Sequence, residues 1–264
     1  MSEFARIDRH RQWTGRSKRG GVVSAVQRRV AGHIFTADPD RPYARPPLSK
    51  EYLRGETDDV DLHPSQWYAQ RSIDLVRCAT VEDIDPVGRG LVVDGTTHRY
   101  KPLVIACGAG PTPLAVPGGE HALELRSRAD ADRLRYAAVG ASSVLIIGAG
   151  FIGCEAAASL AMRGLVVTVV APDAAPQTQR LGSEAGERLP GLLHEVGVRY
   201  VGGVEVEAIR EDAVVLDNGT TMDAAVEHWQ DAVDQGAVAG ANAAGRDATW
   251  DGAPGFWTTI GRRP

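Results

Sequence analysis

The chain has 264 residues and a formal net charge of −5, with 43% hydrophobic and 24% charged residues. That composition is ordinary for a globular protein and excludes disordered and fibrous classes; the length leaves room for one large or two modest domains. No apolar run reaches the length of a membrane span, and the charged N-terminus lacks the apolar centre of a secretory signal.

Charge is uneven. Residues 1–30 carry eight Arg and Lys against Glu3 and Asp8, a balance of +6, which leaves −11 for the rest. We read 1–31 as an irregular, basic, loosely held N-terminus and 246–264 as a loosely held tail. The acidic body carries no nucleic-acid-binding motif. Cys78, Cys107 and Cys154 are far apart with no C-x-x-C pair. They read as free, non-catalytic thiols suited to a reducing compartment, the cytoplasm. The seven histidines show no metal-ligand spacing, so no metal site is expected.

In chain order, His33–Thr36 is a short strand. Pro42, Pro46 and Pro47 predict an extended backbone over 41–50. Short β runs follow between Ile73 and Val93, with Asp94-Gly95 as a hairpin turn signal. Residues 102–106 form a buried strand ending in Cys107-Gly-Ala-Gly-Pro111, and 128–137 a helix. Pro190-Gly191 interrupts the helical pattern of 183–195, where a kink is expected.

The strongest signal is Ser143-Val-Leu-Ile-Ile-Gly-Ala-Gly-Phe-Ile-Gly-Cys-Glu155. An apolar strand enters a G-x-G-x-x-G turn at Gly148, Gly150 and Gly153. Helix formers follow, then Gly164 and a second apolar strand over 165–170. In such a β–α–β unit the first glycine allows the tight turn and the second lets the backbone approach a pyrophosphate. The third allows close helix–strand contact.

One pattern recurs. Val81-Glu-Asp-Ile84 before Leu91-Val-Val-Asp-Gly-Thr-Thr97 resembles Val206-Glu-Ala-Ile209 before Val214-Val-Leu-Asp-Asn-Gly-Thr-Thr221. Two β-meanders, each after an α/β region, predict an α/β fold with two dinucleotide-binding, Rossmann-like domains in tandem. Each is incomplete. The first lacks a G-x-G-x-x-G opening, and the second stops near Met222-Asp223 where a closing strand is due. The divisions are 32–112 for the first domain, 113–223 for the second and 224–264 for a remainder.

Four blocks resemble the FAD-dependent ferredoxin reductases of the putidaredoxin and rubredoxin reductase type: 42–50, 103–109, 148–155 and 227–236. The resemblance implies cofactors FAD and NAD(H), with 32–112 a partial FAD-binding domain, 113–223 an NAD(P)-binding domain and 224–264 a remnant of the FAD-binding and C-terminal region. NADP(H) is less favoured because no Arg or Lys closely follows the 166–170 strand. It implies that Asp38 accepts hydrogen bonds from an adenosine ribose and that Arg45 and Lys50 lie beside a flavin. Gly108 falls in the matching exit from the first domain. Gly148, Gly150, Phe151, Ile152 and Gly153 fall on the nicotinamide-dinucleotide turn, and Glu155 near the nicotinamide, in a first helical turn that suits the macrodipole. Asp173 stands in for a family acid after the strand, and Glu227 and Trp229 match residues near the cofactor.

No side chain is required as a nucleophile. The implied reaction passes a hydride from NADH to FAD and single electrons to a ferredoxin-type iron–sulfur protein, with no nucleic-acid or membrane partner. The alternative is a truncated, non-catalytic nucleotide-binding remnant of that family, because the first FAD fingerprint and a later Gly-Asp motif are missing.

Overall fold

Strand formation begins close to the N-terminus. The computed structural model describes residues 4–8, 32–210 and 213–222. Strands β1 (Phe4–Asp8) and β2 (Gly32–Thr36) come first, followed by short helices α1 (Glu51–Arg54) and α2 (Ser65–Gln70). Strands β3 (Ile73–Val76), β4 (Val81–Asp85), β5 (Gly90–Val93), β6 (Thr96–Arg99) and β7 (Leu103–Ile105) precede helix α3 (Arg128–Gly140). Next come β8 (Ser143–Ile147), α4 (Phe151–Met162), β9 (Val166–Ala171), α5 (Thr178–Leu181), α6 (Ser183–Glu195) and β10 (Val198–Gly202). Strands β11 (Val206–Ile209), β12 (Val214–Leu216) and β13 (Thr221–Met222) close the series.

The described residues fall into two compact units. The first holds 4–8, 32–44 and 61–110. Its parallel sheet has the order β3-β2-β1-β7, with β1 in register against β2 from Phe4↔Gly32 to Asp8↔Thr36. This corrects the irregular reading of the N-terminus at 4–8. A central parallel strand normally reads as a continuous apolar run, and Arg6 and Asp8 break that pattern in β1.

An antiparallel meander, β4-β5-β6, follows in the same unit. Asp94 and Gly95 both adopt positive φ, 47° and 73°, as a two-residue type I′ hairpin requires. Leu91 and Val93 bury one face of the meander against Phe35 and Ala79, packed round by Val76, Val81, Tyr100 and Leu103.

The second unit holds 45–60 and the described residues from 111 onward. Its parallel sheet has the order β10-β9-β8, and β8–α4–β9 is the expected β–α–β unit. Every residue of α4 from Phe151 to Leu160 is buried, so the helix is a core element with no solvent stripe. The meander β11-β12-β13 packs Val214 and Leu216 against Leu145, Val170 and Val204. Its register shifts between Val206 and Ala208, just as the first meander shifts between Val81 and Asp83. The sequence repeat thus carries a shared β-bulge.

Helix α3 starts at a capping box in which Ser127 and Asp130 satisfy each other's backbone amides. One expectation fails here. The extended reading of 41–50 gives way to a 3-10 helix over Pro46–Ser49, because the φ that proline fixes also suits the first turn of a helix. Helix α6 runs from Ser183 to Glu195 with Pro190 inside it. Pro190 has no amide to give one turn back.

Candidate dinucleotide site

Strand β8 runs into Gly148, whose φ of +99° only glycine adopts readily. Its amide donates to the Val170 carbonyl at 2.8 Å, which ties the turn to β9. Gly150 is the extended N-cap of α4, and its carbonyl accepts the amide of Cys154 at 3.0 Å. As in any α-helix, first-turn amides have no carbonyl one turn back inside the helix. They make the N-terminus a site for an anion such as a pyrophosphate. A Cβ on Gly153 would run into the Gly148 carbonyl oxygen, so the third glycine sets the approach of helix to turn. The side chains of Phe151 and Ile152 are buried, and what these two residues offer at the turn is backbone.

Glu155 lies just beyond the first turn of α4, which corrects the first-turn placement expected from the sequence. Its Oε2 accepts the Ser49 hydroxyl at 2.6 Å and the Lys50 ammonium at 2.5 Å. Lys50 Nζ also donates to the Pro46 carbonyl at 3.1 Å. Lys50 and Glu155 are 6% and 3% exposed, so this is a buried ion pair in which each charge has further polar contacts. It joins two residues that the sequence analysis places beside the cofactors separately. Arg45, also buried, donates from Nη1 to the Arg126 carbonyl.

Cys154 is buried beside the pair, with Sγ donating to the Ala149 carbonyl at 3.6 Å. Burial, with the Glu155 carboxylate adding to it, pushes its thiol up to about 12. Such a thiol is no nucleophile at neutral pH. Gln177 is buried as well and adopts φ +60°, and its Nε2 donates to the same Ala149 carbonyl at 2.5 Å.

Asp173 stands two residues past β9. Its side chain accepts from Gln179 Nε2 at 3.2 Å, and its carbonyl accepts the Tyr200 hydroxyl at 2.6 Å. Burial, then Asp173 and Cys154, raise the Tyr200 hydroxyl to about 12, so it remains a donor.

In the first unit, Asp38 stands two residues past β2. Its carboxylate accepts the Asp40 amide and the Tyr43 hydroxyl, each at 3.0 Å, and is thereby held as a fixed acceptor. Gly108, beyond β7, has φ +66°. Glu227 and Trp229 lie outside the described residues.

Ser49, Ser159 and Gln177 went unnoticed in the sequence. Ser159 could have been found from its four-residue spacing to Glu155, which puts both on one helix face. Ser49 sits next to Lys50 in a block already marked. Gln177 gave no signal, since nothing in sequence announces a left-handed glutamine.

Among the described residues no group of three or more His, Cys, Asp or Glu could hold a metal, and no helix is long and apolar enough to cross a membrane.

A parallel β–α–β unit with a three-glycine turn at the helix N-terminus defines an α/β protein of the dinucleotide-binding class. Residues 20–233 match the pyridine nucleotide-disulphide oxidoreductases, and the chain belongs to that family. It is 35% identical to a probable ferredoxin reductase of Castellaniella defragrans over 210 residues, covering 74% of this chain and 50% of that one. Against a ferredoxin–NAD(P)+ reductase of a Sphingomonas species it is 38% identical, covering 57% and 39%. The crystal structure of the ferredoxin reductase for the CYP199A2 system of Rhodopseudomonas palustris superposes with a TM-score of 0.71 at 31% identity, covering 79% of this chain and 55% of that one. The chain thus spans about half, or less, of the length of these curated relatives. FAD and NAD(P)H are the cofactors of the family and its ferredoxin reductases.

The residues present fit a nicotinamide dinucleotide well: an α-helical N-terminus, a glycine where backbone must approach phosphate, and Gly153 filling the close contact. For FAD the fit is partial. Asp38 offers a carboxylate held by the Asp40 amide and the Tyr43 hydroxyl, whereas Arg9-His-Arg-Gln-Trp-Thr14, the sequence directly after β1, contains no glycine.

Proposed function

We propose that this chain is an FAD-dependent oxidoreductase of the NAD(P)H:ferredoxin reductase type, built from two dinucleotide-binding domains in tandem. Its reaction takes a hydride from NADH bound at the 148–155 turn and yields single electrons to a ferredoxin-type iron–sulfur protein in the cytoplasm. The observation that carries this reading is the buried Lys50–Glu155 pair at the glycine turn. A cation and an anion kept out of water beside a dinucleotide turn are costly to bury.

Bound FAD supplies the conversion of a two-electron donor into one-electron steps. The chain's own residues bind and orient. First-turn amides of α4 hold the pyrophosphate, with Gly150 admitting it. Asp38 takes an adenosine ribose, and Lys50 places a positive charge next to the flavin. Asp173, two residues past β9, favours a ribose hydroxyl over a 2′-phosphate, so NADH is preferred to NADPH. The inert Cys154 takes no part.

The test is visible flavin absorbance in the purified chain that survives desalting and bleaches on adding NADH. A second reading, a nucleotide-binding remnant without flavin, is favoured by the absence of glycine from residues 9–14, directly after β1. A colourless chain that refuses added FAD yet binds NADH establishes the remnant and excludes the reductase.

A further inference from the structure

Glu155, Ser159 and Arg163 are spaced four residues apart, so they lie on one side of α4 and its C-terminal end. All three bond to the stretch containing Ser49, Lys50 and Leu53. Glu155 Oε2 accepts the Ser49 hydroxyl at 2.6 Å and the Lys50 ammonium at 2.5 Å. The Ser159 hydroxyl donates to the Ser49 carbonyl at 2.7 Å. Arg163 Nη1 donates to the Leu53 carbonyl at 3.1 Å.

Ser49 is therefore gripped twice by the same helix face, at its hydroxyl by Glu155 and at its carbonyl by Ser159 one turn later. Both serines are 1% exposed.

We propose that Ser49 is a positioning residue for the Lys50–Glu155 pair and that Ser159 aims it. The inference rests on the reading of Lys50 and Glu155 as cofactor-site residues. The last torsion of a glutamate is broad, so a carboxylate held by one flexible lysine can swivel. Two donors converging on Oε2 from neighbouring residues fix the plane of the carboxylate. The carboxylate in turn fixes the ammonium that it shares with the Pro46 carbonyl. A buried polar network specifies one geometry only when its members are satisfied together.

The chain has only three lysines, Lys18, Lys50 and Lys101, so its 15N ammonium spectrum is simple. A buried, hydrogen-bonded ammonium exchanges slowly with water and gives a sharp signal, identified as Lys50 by its loss in Lys50→Arg. Ser49→Ala should broaden or remove that signal, Ser49→Thr should keep it, and Ser159→Ala should weaken it. In FAD-loaded protein, Ser49→Ala should lower kcat for NADH oxidation about ten-fold while KM stays within about two-fold, and Ser49→Thr should restore it. Leu53→Val, a packing change in the same stretch, should lower Tm while leaving both the signal and kcat in place.

An unchanged ammonium signal in Ser49→Ala overturns the inference, and so does a lost signal with kcat and KM intact. A loaded parent protein that does not oxidise NADH overturns the functional reading instead. The ammonium signal then still decides whether Ser49 positions Lys50.

Discussion

Lys50 and Glu155 are each other's counter-charge in a site with little water, and the consequence of losing one differs from that of losing both. Glu155→Ala strands a buried ammonium, so it should cost about 3–5 kcal/mol of stability in denaturant unfolding. Lys50→Met combined with Glu155→Leu removes both charges and should regain most of that loss while leaving cofactor function impaired. Equal destabilisation by the single and double variants would mean that packing, and not charge, dominates the site. The cysteines follow the same logic of environment. Cys78 is exposed, Cys107 intermediate and Cys154 buried with its thiol pushed up to about 12. An alkylating reagent near neutral pH should modify Cys78 first and Cys154 only on unfolding. Early labelling of Cys154 by mass spectrometry would show that α4 opens readily.

Helix α3 shows how an element depends on one titrating residue. Burial alone would raise the Asp130 carboxyl, but hydrogen bonds from Ser127, with further ones from Arg133 and the Arg126 amide, hold it below its ordinary 3.8. A carboxyl depressed in the folded state contributes stability above its unfolded value, and that contribution fades as pH falls through the lower folded value. Asp130→Ala should therefore lower Tm near neutral pH, by the equivalent of about 1 kcal/mol for a lost cap. The gap from the parent should close as pH drops below 3.8. A gap independent of pH would mean that the carboxylate does not carry the cap.

The elements that were legible in sequence are those whose signal is local. The G-x-G-x-x-G turn, the Asp94-Gly95 hairpin and the doubled meander follow from side-chain size and period alone, and the shared bulge shows the repeat extends to backbone detail. The elements that were missed depend on partners elsewhere in the chain. Strand β1 is defined by pairing with β2 and β7, which Arg6 and Asp8 disguise. The φ that proline fixes serves extended and helical backbone alike, so Pro46 and Pro47 alone did not announce the 3-10 helix at Pro46–Ser49. Its Ser49 bonds to Glu155 and Ser159 of α4. The Lys50–Glu155 pair spans 105 positions, and only the fold brings it together.

At the scale of the molecule, two compact units carry two sets of fixed acceptors and donors, and the proposed function requires each to answer to its own cofactor. The first offers Asp38 and the turn at Gly108, both near the C-terminal ends of parallel strands, where ligands bind in such sheets. The second offers the first turn of α4. Backbone amides that bond to a ligand, or are buried by it, exchange more slowly with solvent. Adding NADH to the full chain should therefore protect amides over 148–155 and in the β9–α5 connection. Adding FAD should protect those following β2 and those of 106–110. Gly150→Val places a branched side chain where the pyrophosphate must approach, so it should erase the NADH footprint with an affinity loss of roughly 100-fold or more, about 2.7 kcal/mol. The FAD footprint should survive that change. If NADH protection persisted in Gly150→Val, the dinucleotide would be binding elsewhere, and the glycine turn would be a tight structural corner without a ligand. If the FAD footprint were missing from the parent protein while the NADH footprint was present, the second unit alone would be functional. The buried pair at Lys50 and Glu155 would then persist in a chain that has no flavin to place it against.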